Sequence, residues 1–228
     1  MRAVAGDRAH YRPIATPLAT SSAPIDVVAG LLTLYPFETI YVADLDAIEG
    51  EGDNRADILQ LLEAFPDLRL MIDAGRRFRD WRGQARVEAI IGSESLTGAE
   101  TLSFARGDPE VLLSLDFHDA HFLGPKALLS SPELWPKRLI VMTLARVGAD
   151  AGPDFVRFAE IVARAGERSV YAAGGVRGAE DLARLEALGA AGALVASALH
   201  DGRLAPSECA RFASRAAQRK REPRGLPS

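Results

Sequence analysis

The chain has few of the residues that build disulfide frameworks and metal centres. Cys209 is the one cysteine among 228 residues, which excludes an intrachain disulfide and a cysteine-based zinc site and is typical of a reducing compartment. The 4 histidines include no pair at the i, i+4 spacing of helical metal ligands. His118 and His121 lie near Asp116 and Asp119, but a solvated loop explains this group better than a metal cluster does, so we expect no bound metal.

Long apolar runs and concentrated positive charge are also missing. No apolar run reaches the roughly 18 residues that a membrane span needs, and the N-terminus lacks the apolar region of a signal peptide. The formal net charge is −4, whereas nucleic-acid-binding domains usually carry a basic face. We therefore expect a cytoplasmic protein without cofactors that binds neither membranes nor nucleic acids. The sequence leaves a homo-oligomer open.

Seven short apolar runs alternate with amphipathic segments along the chain. Runs of four or five nearly continuous apolar residues are typical of parallel strands that are buried on both faces. The runs lie at 39–43, 68–72, 87–91, 111–115, 138–142, 169–172 and 193–196, and the candidate helices lie at about 24–34, 54–64, 153–165, 178–188 and 206–218. This alternation predicts βαβ units and a parallel sheet.

The runs recur as an internal repeat with an offset of about 100 residues. Residues 40–45 align with 139–144, residues 70–77 with 170–177, and residues 89–93 with 193–197. Two similar halves predict an α/β fold of the (β/α)₈ TIM-barrel class, since an open sheet gives no reason for this spacing. We place one barrel at 1–218 and a flexible tail at 219–228. The first strand is predicted to be truncated or incomplete: it is either missing or survives as the stub Ala3–Ala5.

Acid/base candidates follow from the rule that barrel active sites lie on the loops after the strands. Asp116 directly follows the run at 111–115, where a partly desolvated carboxylate can act as a general acid or base. A helix-capping or rim aspartate is the alternative. Thr143 is a candidate hydroxyl partner or else a buried strand residue. Asp44 could point into the mouth or pair with an arginine on the rim.

Small residues after the last two runs form a phosphate-site pattern. Gly174 and Gly175 precede a predicted helix, and Ala196 and Ser197 follow the final run. Glycines let a backbone approach an anion, and N–H groups near a helix start supply donors. A tight turn without a ligand is the alternative. The first-half counterparts could bind a second phosphate or form plain turns: Gly75, Arg76, Gly92 and Ser93. The predicted partner is therefore a phosphorylated small molecule.

Together these motifs resemble the histidine-biosynthesis isomerase of phosphoribosylformimino-aminoimidazole carboxamide ribotide. The resemblance covers roughly residues 1–205 and rests on 42–46, 115–119, Thr143 with 148–154, 173–176 and 195–199. It implies a barrel of two similar halves that binds two phosphates and performs an Amadori rearrangement. It also implies an acid/base pair of aspartates after strands one and five, with a threonine after strand six. Asp116 and Thr143 occupy the last two positions.

The sequence departs from the family pattern at four places, one of which is Ala120, where a glycine is usual. The strand-one aspartate would fall before Met1, residues 146–150 replace an Asp-Gly-Thr, and Asp73 begins what is elsewhere a glycine run. Segments 140–148 and 93–96 are closer to a divergent branch associated with tetrahydromethanopterin- and methanofuran-linked one-carbon metabolism. Three functions stay open: an isomerase-type enzyme of that branch acting on a phosphorylated sugar or cofactor precursor, a histidine-pathway isomerase with an incomplete start, and a non-catalytic phosphate-ligand-binding subunit. An enzyme without the strand-one aspartate would rely on Asp116 with Asp44 or Asp73.

Overall fold

The computed structural model describes residues 1–98 and 108–221, with side chains described through Arg215. The strands are β1 Thr39–Ala43, β2 Arg69–Asp73, β3 Val87–Gly92, β4 Val111–His118, β5 His121–Leu123, β6 Arg138–Thr143, β7 Ser169–Ala173 and β8 Gly192–Leu194. The helices are α1 Pro24–Leu34, α2 Leu45–Glu49, α3 Arg55–Ala64, α4 Ala127–Ser130, α5 Phe155–Ala165, α6 Ala179–Ala187, α7 Ser197–His200 and α8 Pro206–Arg221. All seven apolar runs are therefore confirmed as strands.

Seven of the strands run parallel in the order β1-β2-β3-β4-β6-β7-β8, and the sheet curls into a nearly closed barrel. This confirms the predicted (β/α)₈ class. The eighth strand was not predicted: β5 folds back antiparallel on β4 around Asp119, which has a φ of 50°. The helix α8 continues through Arg221, past the predicted barrel end at 218, and residues 222–228 of the predicted tail lie outside the described residues.

Alternation along the strands divides the core into an inner and an outer layer. Inside the barrel, Met71, Ile90, Leu112 and Ile140 pack together, whereas their neighbours on the strands pack outward under the helices. The lower end of the barrel is closed by Glu88, whose carboxylate accepts hydrogen bonds from Arg69 at 3.3 Å and Arg138 at 2.6 Å. The open end therefore lies at the carboxyl ends of the strands.

A gap separates β1 from β8, because no ladder joins these two strands in the described part of the chain. Of the two alternatives for the first strand, the one that makes Ala3–Ala5 its stub is wrong. The Ala5 N–H donates to the Val147 carbonyl at 2.8 Å, and Arg2 forms an isolated bridge with Arg12, so this segment lies on the loop after β6 instead.

Across the gap, side chains of α1 and of the turn after it pack against the region around α7. Leu31, Leu34 and Phe37 contact the cluster formed by Leu199 and Leu204. The gap is thus covered by helices rather than by a strand. Within the described residues, no helix combines the length and the apolar character needed to cross a membrane.

Candidate functional site

A cavity of 1320 Å³ occupies the mouth of the barrel and extends into the gap between β1 and β8. Its lining includes the ends of six of the parallel strands and the loops that follow them: Tyr41, Asp73, Asp116, Met142, Ala173 and Leu194. The N-terminal segment contributes Arg8 and Tyr11 from the opposite side. The cavity therefore lies where a (β/α)₈ barrel carries its chemistry.

Asp116 lies on the inner face of β4 and is 3 % exposed. Its Oδ1 accepts a hydrogen bond from the Ser114 hydroxyl at 2.5 Å, and its Oδ2 accepts from the Glu94 N–H at 3.2 Å. The Ser93 hydroxyl oxygen also lies 3.2 Å from Oδ2. Burial, followed by the negative charge of Asp73, raises the pKa of Asp116 to about 8, while the hydrogen bonds oppose the rise. At neutral pH this carboxyl group holds a proton that it can donate.

A second buried carboxyl group, Asp73, ends β2 on the same inner face. Its Oδ1 accepts from the Gly75 N–H at 3.2 Å, and the Tyr41 hydroxyl lies 3.5 Å from its Oδ2. Burial raises the pKa of Asp73 to about 6, and the charge of Glu94 adds to the rise, while the Gly75 N–H and Arg8 oppose it. The sequence hinted at this group, since Asp73 stands where a small residue would be expected.

Asp44 lines the cavity but is held by a helix terminus. Its Oδ1 accepts from the Ala47 N–H at 3.3 Å, so it caps α2, and from the Asn54 side-chain amide at 2.8 Å. Its Oδ2 accepts from the Asn54 backbone N–H at 2.9 Å. Asp44 therefore caps a helix, a role that the sequence raised as an alternative for Asp116 and not for Asp44.

Thr143 ends β6 and is 3 % exposed. By strand alternation it shares the outward face of Leu139 and Val141, whereas Met142 points into the cavity. The backbone carbonyl of Thr143 packs against Gly174, because a Cβ on that glycine would lie 2.5 Å from the carbonyl oxygen. The sequence motif located the strand end but not the direction of the side chain.

The second-half phosphate candidates all line the cavity: Gly174, Gly175, Ala196 and Ser197. Gly174 and Gly175 have φ values of 99° and 84°, which favour glycine. A Cβ on Gly175 would lie 2.4 Å from the Gly152 carbonyl oxygen, so the loop after β6 packs directly on this backbone. The structure thus brings these four residues and Asp116 to one cavity.

The first-half phosphate candidates have different surroundings. Gly75 packs against α2, Arg76 is exposed and outside the cavity lining, and the Ser93 hydroxyl donates to the Leu123 carbonyl at 2.7 Å. Gly92 faces two carboxyl groups, since a Cβ on it would lie 3.3 Å from Asp116 Oδ2 and 3.7 Å from each oxygen of Asp73. An ionised carboxyl group in this position disfavours a phosphate beside Gly92, and a second phosphate at the first-half loops stays a prediction.

Arg8 is a cavity residue that the sequence did not single out. Its guanidinium forms an ion pair with Glu94 at 2.5 Å and a longer one with Glu49 at 3.8 Å. Contacts between residues 86 positions apart leave no local pattern in a sequence, so only the folded chain identifies this pair. His118 and His121 are exposed on the β4–β5 hairpin, away from the cavity lining.

Comparisons with known proteins agree with the motifs. The profile of a family described as histidine biosynthesis protein matches residues 126–205. An uncharacterized protein of Methanocaldococcus jannaschii is 29 % identical over 206 residues, which cover 86 % of each chain. Two proteins named as phosphoribosyl imidazole carboxamide isomerases are also similar. That of Streptococcus sanguinis is 27 % identical, and the match covers 72 % of this chain and 76 % of the relative. That of Myxococcus xanthus is 29 % identical, and the match covers 77 % of this chain and 80 % of the relative. The predicted resemblance is therefore confirmed.

Proposed function

We propose that this relative of the histidine biosynthesis proteins is an isomerase-type enzyme acting on a phosphorylated sugar or a phosphorylated cofactor precursor. One observation carries the proposal: a single cavity contains both the buried carboxyl group of Asp116 and the small-residue backbone at Gly174–Gly175 and Ala196–Ser197. A phosphate held on one side would place the sugar carbons against a group that exchanges protons.

In this proposal the second-half loops bind the phosphate. Glycine backbones let an anion approach their N–H groups, and the Ser197 hydroxyl adds a donor at the start of α7. Ala196 is exposed to the cavity and leaves space beside that hydroxyl. The binding energy of the phosphate would then hold the reacting carbons in place for the chemical step.

Asp116 is the proposed general acid. An Amadori rearrangement needs a proton on the ring oxygen before the sugar ring opens, and a carboxyl group with a pKa of about 8 is protonated at pH 7. We assign Asp44 and Thr143 to supporting roles. Asp44 fixes α2 and Asn54 beside the mouth, and the Thr143 carbonyl supports the backbone of Gly174.

A thermal-shift titration tests the phosphate site. The ligands are the bis-phosphorylated aminoaldose intermediate of histidine biosynthesis, ribose 5-phosphate and inorganic phosphate. A ligand at about 100 times its dissociation constant stabilises the folded state by roughly 2.7 kcal/mol. In Ala196→Asp the added carboxylate should abolish the shift, whereas the isosteric control Ala196→Asn should retain most of it.

The pattern of shifts decides between substrates. A shift specific to the bis-phosphorylated intermediate, followed by its turnover, supports histidine-pathway chemistry, and a shift with ribose 5-phosphate alone points to another sugar phosphate. Wild-type protein that gives no shift with any of the three ligands would contradict the phosphate site. A second candidate, a phosphate-ligand binder without turnover, is favoured by the capping role of Asp44, and binding of the ligands with no isomerisation would support it.

A further inference from the structure

We propose that Asp73 and Asp116 form one acid/base pair across the mouth of the barrel, in which Asp116 protonates the substrate and Asp73 removes a proton from it. This inference rests on the proposed function and deepens it, because it assigns a second catalytic residue to the same reaction.

The geometry of three neighbouring strands brings the two carboxyl groups together. Asp73 lies on β2 and Asp116 on β4, and the residue that faces them from the intervening β3 is Gly92. The position of a Cβ on Gly92 lies 3.3 Å from Asp116 Oδ2 and 3.7 Å from both oxygens of Asp73. Both residues line the cavity. The missing side chain of Gly92 therefore leaves one small volume that both carboxyl groups face.

Asp73 is better placed for proton transfer than Asp44. The carboxylate of Asp44 accepts three hydrogen bonds that hold α2 and Asn54, and protonating it would weaken all three. The carboxylate of Asp73 accepts one backbone hydrogen bond, from Gly75, and a long one from Tyr41. Asp73 therefore keeps lone pairs directed to the cavity.

Different surroundings keep the pair in different protonation states. Burial and the charge of Asp73 raise the pKa of Asp116 to about 8, and burial raises the pKa of Asp73 to about 6. At pH 7 Asp116 therefore holds a proton while Asp73 is ionised. Two carboxyl groups whose surroundings separate their pKa values in this way are suited to the roles of acid and base.

Among the residues that the structure describes, three other titratable groups face the pair. Glu94, on the turn after β3, raises the pKa of both carboxyl groups, and Arg8 lowers that of Asp73 while it pairs with Glu94. Tyr41 on β1 donates to Asp73 and remains protonated, because burial raises its own pKa well above the usual value. These groups set the pH range over which the pair is active.

The proposed reaction balances within the substrate and the pair. Asp116 gives its proton to the ring oxygen as the C1–O bond breaks and the nitrogen lone pair forms a C1=N bond. Asp73 takes the C2 proton, the C–H electron pair forms the C1=C2 bond, and the C1=N electrons return to nitrogen. Asp73 then protonates C1 while Asp116 accepts the proton of the C2 hydroxyl, so that the ketose forms and both carboxyl groups are restored. Open-chain ribose 5-phosphate has no nitrogen on C1, and there Asp116 protonates the C1 carbonyl oxygen as Asp73 takes the C2 proton, after which the same two return transfers give the ketose.

The test compares Asp73→Asn, Asp116→Asn and the control Asp67→Asn, which lies exposed in the turn before β2. Turnover of the bis-phosphorylated intermediate and of ribose 5-phosphate is measured from pH 5 to pH 9, with thermal shifts to verify ligand binding. Each of the two paired variants should lose at least about 100-fold in turnover while still binding ligand, since a general acid or base contributes about 10²–10⁴-fold. The control should match the wild-type protein, whose rate should peak between about pH 6 and pH 8.

Carbon-13 NMR titration of the aspartate carboxyl groups provides a readout without turnover. Asp73→Asn should lower the pKa of Asp116, because the charge of Asp73 contributes to its rise. Turnover of Asp73→Asn at the wild-type rate would overturn the pair and leave the proposed function standing. If the wild-type protein turned over neither sugar phosphate, the proposed function would be contradicted instead. In that case the pair would be contradicted as well if the pKa of Asp116 were the same in Asp73→Asn as in the wild-type protein.

Discussion

The two halves of the barrel mouth share a backbone plan and differ in chemistry. On the β1–β4 side, buried carboxyl groups face a glycine that leaves space between them. On the β6–β8 side, glycines with positive φ let neighbouring loops pack backbone against backbone. Under the proposed function the two sides of the mouth divide the work, with proton transfer between β2 and β4 and anion binding at the loops after β7 and β8.

The largest effect should come from the second half. In Gly175→Ala, the new Cβ would lie 2.4 Å from the Gly152 carbonyl oxygen at a φ of 84°, so the loop must shift. We expect the free energy of unfolding, measured by urea denaturation, to fall by about 1–3 kcal/mol or more. Gly178→Ala is the control, since its Cβ would meet only the Arg203 carbonyl oxygen at 3.6 Å. Equal stability of the two variants would contradict the packing argument.

The glycine of the first half should behave in the opposite way. Gly92 has a φ of −74°, so Gly92→Ala introduces no backbone strain, yet its methyl group would lie 3.3 Å from Asp116 Oδ2. We expect turnover to fall by about 10- to 100-fold because the carboxyl groups are displaced, with only a small change in stability. If Gly92→Ala instead lost as much stability as Gly175→Ala and kept its turnover, the expected difference between the two glycines would be contradicted.

The pH dependence of stability should distinguish the acidic half. The pKa of Asp116 is raised from 3.8 to about 8 and that of Asp73 to about 6, so the folded state binds these protons more tightly than the unfolded state. Their stabilising contribution is complete below about pH 4 and is lost as pH rises through these values. Between pH 5 and pH 8 the melting temperature of the wild-type protein should therefore fall by several degrees more than that of Asp116→Asn. Parallel curves in calorimetry would argue against the raised pKa of Asp116.

The smallest effect should come from the helix caps. Asp44→Ala removes the cap of α2, and Asp154→Ala removes the matching cap of α5, where Asp154 accepts from the Arg157 N–H at 3.1 Å. Each substitution should cost about 0.5–2 kcal/mol of stability. Neither should change the shape of the pH–rate profile. If the pH–rate profile changed in Asp44→Ala and not in Asp154→Ala, Asp44 would have a catalytic role.

The fold was predictable from local patterns, and much of the site was not. Buried parallel strands leave apolar runs, so all seven runs became strands, and strand ends located Asp116 and the second-half loops. The β4–β5 hairpin has no apolar run of its own and depends on the positive φ of Asp119. The role of Asp44 depends on Asn54, ten residues away, which no period of a strand or helix relates to it.

Side-chain direction and long-range ion pairs account for the remaining differences. Counting alternate residues along β6 from Met142 would have turned Thr143 outward, so that signal was present in the sequence. The pairing of Arg8 with Glu94 had no such signal, because it joins a loop before α1 to the turn after β3. Charge at the mouth is therefore a property of the folded chain rather than of any one motif.

Because no ladder joins β1 and β8 in the described part of the chain, the sheet is curved but open along one side, which we call the seam. Backbone amides at the seam should exchange with deuterated solvent sooner than those of β3 and β4, which have ladder partners on both sides. Local opening of the backbone should therefore be most frequent where the cavity meets α1 and α7. Along this seam the cavity is separated from solvent by packed helices and not by a hydrogen-bonded strand.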